Sequence, residues 1–455
     1  MGLRIGLVSE EFRGAELGDA RRTKRLMELS DELALHPGVS LPQALGMDEA
    51  ALEAAYRFLG NAKVRPDAMV APHFANSVAR AAHHAVVYVA HDTTEVRHAC
   101  SGLVLFLHLC MGVGTSSADD ELVGALGAEF GQRTEKKPRR DSKQRKQDPE
   151  RASLRWNRLV LAVHQRLQSV TSAIHLMDRE ADIYELLSAM HQAGVRFIVR
   201  AKADRVCVGP DGERAHLFPT LDQATGQLTR QVPLSGRKAP WSPKDARRHP
   251  ARESRPATLS TAAISVTVFK PQSSQDAGLP PSLQLNYVHV WEEHPPEGEA
   301  AVDWKLVTEE PCTTPEQIEA VVDGYRKRWR IEEFNKGLKT GCGIEKTQLE
   351  TQSSVLSHVA LAIPMAWRML RLRNLERQRP NDPATEALSP VELEVLIKMA
   401  KPPLDPVPTA AQVLRAVASL GGHLKRNGPP GWLTLIRGYS RLLDYVAAWR
   451  VAREM

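Results

Sequence analysis

The sequence predicts an α/β protein: a mixed sheet flanked by helices, a β-rich insertion, and helical segments at both ends. Three observations carry this prediction. Between residues 71 and 205, short apolar runs and amphipathic stretches follow the order strand, strand, strand, helix, strand, helix, strand. Between about residues 206 and 310, helical periodicity vanishes, Pro, Ser and Gly become frequent, and apolar and polar residues alternate. From Ser353 onward, apolar residues return at helical spacing.

Residues up to about 70 read as helices. Gly18-Asp19 precedes Arg21, Arg22, Lys24 and Arg25. An aspartate N-cap followed by a basic first turn suits a phosphate contact, and an ordinary exposed helix is the alternative. Strands are expected at 85–91, 102–110 and 121–130, a helix at 154–168, and strands at 172–177 and 195–201. Three opening strands joined by short links would be antiparallel. That order suits a ribonuclease-H-like fold.

In the insertion, alternation is clear at Ala262-Ala263-Ile264-Ser265-Val266-Thr267-Val268 and at Leu283-Gln284-Leu285-Asn286-Tyr287-Val288-His289-Val290. The stretch 236–256 is rich in Arg, Lys and Pro and is expected to be poorly ordered without DNA. The insertion ends at Trp304-Lys305-Leu306-Val307-Thr308, where Trp304 could be core. Beyond it, 353–375 forms a long apolar helix, 376–389 a link, and 390–455 a helical end. The expected domains are therefore 1–70, 71–375 with the insertion at about 206–310, and 376–455.

The chain has 455 residues, a formal charge of +6 and a pI near 9. Such a length allows two or three domains with a sizeable core. A modest positive excess is compatible with nucleic acid without requiring it. Between Arg133 and Arg158 cations crowd the chain, among them Lys136, Lys137, Arg139, Arg140, Lys143 and Lys146. A solvated loop and a phosphate contact both fit that run. Five cysteines show no CxxC pair and no zinc spacing, so a reduced cytosolic chain is expected. His83, His84, His91, His98 and His108 cluster in sequence without a metal-ligand pattern. No apolar run reaches the roughly 20 residues of a membrane span, and no signal segment opens the chain.

The chemistry concentrates in three places. From Tyr325 to Lys339 a single helix is expected. At about 100° per residue, Tyr325, Arg328, Glu332 and Lys339 share one narrow face, and Ile331, Phe334 and Leu338 gather on another. A carboxylate set among cations suits a divalent metal and the phosphates bound to it. The alternative is a solvated, salt-bridged face. The strand 85–91 runs into Asp92-Thr93-Thr94, which places Asp92 at a carboxyl end, where α/β sheets build sites. Likewise 172–177 runs into Asp178-Arg179-Glu180-Ala181-Asp182. A strand-end turn is the alternative for Asp92, and an N-cap for the following helix the alternative for Asp178. Together Asp92, Asp178 and Glu332 make a cage for two magnesium ions, suited to phosphoryl transfer.

These motifs resemble the bacterial cut-and-paste DDE transposases of the insertion-sequence-four type. Tyr325, Arg328, Glu332 and Lys339 match the family's signature residues in type and spacing. Asp92-Thr93-Thr94 and Asp178-Arg179-Glu180-Ala181-Asp182-Ile183 match its two aspartate motifs. Leu17-Gly18-Asp19-Ala20-Arg21-Arg22-Thr23 and Ala55-Tyr56-Arg57-Phe58 match near the N-terminus. Gly421-Gly422, Lys425-Arg426 and Gly431-Trp432 echo the C-terminal part. The basic run after Arg133 departs from the family pattern.

The resemblance implies that Asp92, Asp178 and Glu332 are catalytic ligands of Mg or Mn. It implies DNA contacts by Arg21, Arg22, Arg25, Arg200, Lys202, Trp304, Tyr325, Arg328 and Lys339, with Trp304 stacking on a flipped base. It further implies a homodimer paired through the C-terminal end. The expected partners are element ends and target DNA in the bacterial cytoplasm, not a membrane. A catalytically silent DNA-binding relic or inhibitor is the competing reading, and a stand-alone nuclease the next. The intact acidic triad argues against the relic. The basic N-terminus and the dimer-like C-terminus argue against the nuclease.

Overall fold

The computed structural model describes residues 8–115, 120–132, 152–237, 250–274, 276–424, 426 and 430–454. Along the chain, helices α1 (Ala20–Leu35), α2 (Leu41–Ala44), α3 (Glu49–Leu59) and α4 (Pro66–Ala81) precede strands β1 (Val86–Arg97), β2 (Val104–Thr115) and β3 (Asp120–Gln132). Next come α5 (Ala152–Leu167), β4 (Ser172–Met177), α6 (Tyr184–Gln192) and β5 (Arg196–Arg200). The insertion holds β6 (Val206–Val208), β7 (Arg214–His216), α7 (Leu217–Asp222), β8 (Leu228–Leu234), β9 (Arg255–Phe269), β10 (Ser282–Glu292) and β11 (Asp303–Thr308). Helices α8 (Pro315–Arg326), α9 (Trp329–Lys336), α10 (Gln352–Gln378), α11 (Pro390–Met399), α12 (Ala410–Leu420) and α13 (Trp432–Glu454) complete it.

The chain forms two compact units built from non-consecutive segments. Unit one takes residues 1–147, 165–172 and 329–455, and unit two takes 148–164 and 173–328. The segmentation 1–70, 71–375 and 376–455 follows chain order, and its first boundary falls inside α4.

In unit one, β1, β2 and β3 pair antiparallel in sequence order, as three short-linked strands should. Helix α10 is long and apolar enough to span a bilayer, yet most of that surface is buried. Leu361, Ala362 and Ile363 are fully buried in a core shared with Leu29, Met69, Leu109 and Phe334. Apolar residues surround nearly all of α10 because protein packs on all its sides. In unit two, β4 and β5 run parallel, and β11, β10, β9, β6 and β7 continue antiparallel, with β8 on β9. The sheet is mixed, as expected, but the strands of the insertion extend it from β5 instead of standing apart from it. Its core gathers Trp156, Tyr184, Phe197, Val268 and Tyr287.

Several expectations need correction. β1 does not stop before Asp92, because Thr93, Thr94 and Val96 keep it extended and its ladder with β2 continues to Arg97↔Val104. Asp92 therefore sits within a strand, opposite Leu109. Asp178 caps only a short 3-10 turn, Arg179–Ala181, and α6 starts afresh at Tyr184. The single helix over 325–339 is interrupted twice. Lys327 and Arg328 donate their N–H groups three residues back, to Gly324 and Tyr325, which tightens the turn. A π-turn then spans Gly337–Gly341, closed by Cys342 N–H to the Gly337 carbonyl. A fixed 100° increment fails across both breaks. The insertion also contains α7, and the proposed link 376–389 begins inside α10. The basic run 133–151, most of 236–256 and Lys425 lie outside the described residues.

Candidate active site and nucleic-acid contacts

Unit one holds two of the three expected carboxylates. Glu332 stands in the first turn of α9, whose buried side carries Ile331 and Phe334, with Leu338 buried just beyond. That apolar anchor is the one the sequence predicts. Glu332 and Asn335 lie three residues apart, hence on one helix face. Asn335 Nδ2 donates to Asp92 Oδ2 at 2.7 Å. The bond ties α9 to β1 and brings the Asp92 carboxylate to the face that carries Glu332. Both carboxylates are half-buried. Lys339 lies in the π-turn, its Nζ 3.9 Å from Glu345 Oε1. An ion pair that long leaves the ammonium weakly held.

Unit two holds Asp178 and most of the expected DNA contacts. Asp178 Oδ1 accepts the Glu180 N–H at 2.9 Å, so the capping alternative is real. It does not exclude a ligand role, because a carboxylate offers a second oxygen. Tyr325 is buried near the end of α8, and burial raises its pKa against the opposing pull of Arg328 and Arg200. Its hydroxyl therefore stays protonated and able to donate. The Arg328 guanidinium lies 5.9 Å from the Tyr325 ring centroid. Trp304 meets the same ring edge-on at 5.9 Å between centroids. Arg200 sits 5.5 Å from the Trp304 ring and donates to the Asp303 carbonyl at 3.0 Å. Burial, then neighbouring Arg179, lowers the Arg200 pKa from its usual value. Trp304 is half-exposed at the start of β11 rather than buried core. Lys202 is exposed just past β5.

The N-terminal arginines divide. Asp19 N-caps α1 as expected, accepting the Arg21 N–H at 2.9 Å. Arg21 is 91 % exposed and paired with Asp19. Arg22 donates to the Leu17 carbonyl at 2.7 Å and Arg25 to the Ala51 carbonyl at 3.1 Å. These two hold the chain around α1 as well as carrying charge.

Two residues escaped the sequence reading. Asn335 is one; an amide beside a glutamate on a charged helix gives no signal until β1 is packed against it. Asp182 is the other. Its Oδ2 accepts the N–H groups of Lys202 and Ala203 at 2.5 and 2.8 Å, and its Oδ1 lies 2.6 Å from the Arg205 guanidinium. This buried carboxylate clamps the exit of β5, where Arg200 and Lys202 stand, to the turn that carries Asp178. The Asp178-x-x-x-Asp182 spacing marked it only as a second acid.

Among the described residues, no three His, Cys, Asp or Glu side chains are gathered into a closed metal cage. The donor chemistry of the triad nonetheless fits one class of metal. Asp92, Asp178 and Glu332 offer only carboxylate oxygens, which suit hard divalent cations such as Mg or Mn rather than zinc. The five cysteines are free thiols in the structure.

Comparison with known families adds two matches. Residues 6–64 match the transposase DNA-binding family. Residues 153–366 match the transposase DDE domain family, a span that includes Asp178 and Glu332. Asp92 falls between the two matched segments. The mixed α/β architecture is consistent with a ribonuclease-H-like DDE domain. A transposase DNA-binding domain followed by a DDE domain supports a DNA transposase of the DDE class, and the DDE domain indicates a metal-dependent polynucleotidyl transferase with endonuclease activity.

Proposed function

We propose that this transposase is of the insertion-sequence-four type, related to the Tn-five transposase, and moves its element by cutting and pasting. A homodimer would bind both inverted ends in the bacterial cytoplasm, with residues 1–70 reading the ends and 376–455 pairing the protomers. Water would attack the phosphodiester at each end and release a 3′ hydroxyl. That hydroxyl would attack the opposite strand, closing a hairpin and freeing the flanking DNA. Hydrolysis of the hairpin would restore the 3′ hydroxyl, which would then attack target DNA and leave the two joined.

The observation that carries this reading is the Asn335 bond to Asp92 on the face that carries Glu332. It ties the strand that carries Asp92 to the helix that carries Glu332, within a chain that matches a DDE domain. Asp92, Asp178 and Glu332 would hold two Mg or Mn ions, which supply charge neutralisation at the phosphate and an activated water. Arg328 and Lys339 would grip phosphates near the cut. Tyr325, kept protonated by burial, would donate to a phosphate oxygen. Trp304, braced by Tyr325 and Arg200, would stack on the base that leaves the helix when the strand bends. Asp182 would position Arg200 and Lys202 from behind.

Cleavage of element-end DNA with manganese present tests the reading. Nicked strands followed by hairpins are the expected products. End binding without any cleavage would point to a silent relic, and cleavage without selectivity for ends or any joining to a nuclease.

A further inference from the structure

A cleft in unit one, remote in role from the carboxylates, has a composition that no step of the proposed reaction uses. It encloses about 340 Å³ between the turn after α1, the end of the π-turn and one face of α13. That volume lies at the small end of the range for ligand sites, roughly 300–1,000 Å³. Among the described residues, three cations line it, Lys346, Arg437 and Arg441, and no carboxylate does. Thr340 and Ser440 add hydroxyls. Leu433 and Ile436 supply an apolar wall on the same helix face as Arg437 and Ser440.

The cations are not consumed by the fold. Arg441 donates from Nη1 to the Leu420 carbonyl at 2.5 Å. Five donors per guanidinium leave others for a ligand. The side chains of Lys346 and Arg437 form no hydrogen bond or ion pair with another described residue. Ser440 Oγ is 3.2 Å from His36 Nδ1, which aligns the hydroxyl at the rim.

The backbone holds the cleft in shape. Gly38 has a φ of +80°, and a Cβ there would lie 2.5 Å from the Gly341 carbonyl oxygen. Gly343 has a φ of +64°, and a Cβ there would lie 3.2 Å from the Gly38 oxygen. The two loops thus touch backbone to backbone, which only glycine allows. This preformed wall means that a ligand pays little to order the site.

Three cations without an acid select an anion, and the apolar wall selects one with an organic part. On the DNA transposase reading, which this inference deepens, we propose that the cleft seats one nucleotide of a DNA strand. Its phosphate lies on Lys346, Arg437 and Arg441, and its sugar or base lies against Leu433 and Ile436. A free nucleotide carries the same chemistry and is the alternative source.

The test measures binding of the full-length protein to a short oligothymidylate across a range of salt, without divalent metal. Wild type is compared with the Lys346→Ala/Arg437→Ala double variant and with Leu433→Ser, all exposed positions expected to leave the fold intact, as a thermal melt would show. On a single strand, each cation that no longer neutralises a phosphate lowers the log–log salt slope by about 0.7. The double variant is expected to lose about twice that, and Leu433→Ser to weaken binding with its slope unchanged. Thymidine monophosphate is expected not to compete at concentrations where the strand saturates. An unchanged slope in the double variant overturns the proposal. Competition by the mononucleotide that the double variant abolishes, with strand binding unaffected, overturns it in favour of a free nucleotide. Because no cleavage is read, failure here leaves the transposase reading untouched. Failure of end cleavage likewise leaves this test standing.

Discussion

Asp92 leaves the interior of a paired strand and Glu332 the first turn of a helix, whereas Asp178 leaves a short turn and Arg200 and Trp304 leave strand ends. In unit one, ladder and helix bonds fix the backbone under each acid, and one amide fixes the carboxylate itself. In unit two, long side chains brace one another by stacking, and a buried acid holds their loops. On the proposed reading, in which Asp92 and Glu332 would hold metal and Arg200 and Trp304 would contact DNA, the contrast suits the chemistry. Hard-cation ligands tolerate little displacement. Side chains that follow a bending DNA strand need reach and adjustable faces instead.

The largest expected effect falls on the acids. Asp92→Ala, Asp178→Ala or Glu332→Ala should each abolish cleavage and leave end binding in place, since affinity comes from phosphate contacts. Nicking that survives in any one of them removes that residue from the triad. Asn335→Ala keeps every ligand but loses the bond to Asp92, and so tests the unit-one side of the contrast alone. Losing a group that orients a ligand typically costs about 10–100-fold, and raised manganese should recover part of it. Glu333 is the control on the same helix. It pairs with Arg330, Arg373 and Arg377. Glu333→Gln should therefore lower the melting temperature while cleavage per folded molecule stays normal.

Asp182→Ala attacks the loop clamp of unit two. It strands the buried Arg205 charge, at a cost of about 3–5 kcal/mol, read as a fall in urea midpoint. If Asp182→Asn restores stability but DNA affinity stays low, the clamp positions Arg200 and Lys202. If both return together, its role is only structural.

Trp304→Ala should slow hairpin formation about ten- to a hundredfold, from a base-stacking loss of about 1–3 kcal/mol. First-strand nicking should stay near normal. Half-exposure already argues against a core role. Equal slowing of both steps with a depressed melting temperature would return Trp304 to the core.

Acid should weaken unit one through two buried groups. Burial, reinforced by His98, pushes His358 down to about 4 from its usual 6.5. The unfolded chain takes that proton first, so stability falls as pH drops from 6.5 and stops falling near 4. Glu11 behaves differently. Burial would raise it, but His73 and then Arg80 outweigh burial and hold it at about 2. Its contribution is present above 4.5 and is lost as pH falls toward 2. Each group should cost on the order of 3 kcal/mol. His358→Leu should flatten the upper window and Glu11→Gln the lower, in melts taken across pH.

The smallest effect concerns α1. On a duplex, each phosphate that a side chain ceases to neutralise flattens the salt slope by about 0.9. Arg21→Ala should show that change for end DNA. Arg22→Ala and Arg25→Ala should also lower stability, because each donates to a backbone carbonyl. No slope change when Arg21, Arg22 and Arg25 are replaced together means that the patch serves folding alone.

Much of the fold was legible because local patterns dictated it. The strand 172–177 appears as β4 with the expected bounds, and the three opening strands pair antiparallel. Periodicity reports burial, and burial is what those residues share. The misread places are those where a partner overrides local preference. β1 runs on past Asp92 because β2 is long enough to pair with it. The helix over 325–339 tightens at Lys327 and widens at Gly337, and hydropathy spacing cannot register either change.

By itself the sequence determined the chemistry on offer: three acids, a tyrosine, a tryptophan and cations in an order that resembles the DDE transposases. Residue type and spacing along the chain are one-dimensional facts and need no fold to be read. Only the tertiary structure decided that Asn335 holds Asp92, that Asp182 clamps the loop behind Arg200, and that Gly38 and Gly341 bring two loops together around a basic cleft. Each joins residues far apart in sequence. A single amide, acid or glycine leaves no periodic trace until packing supplies its partner.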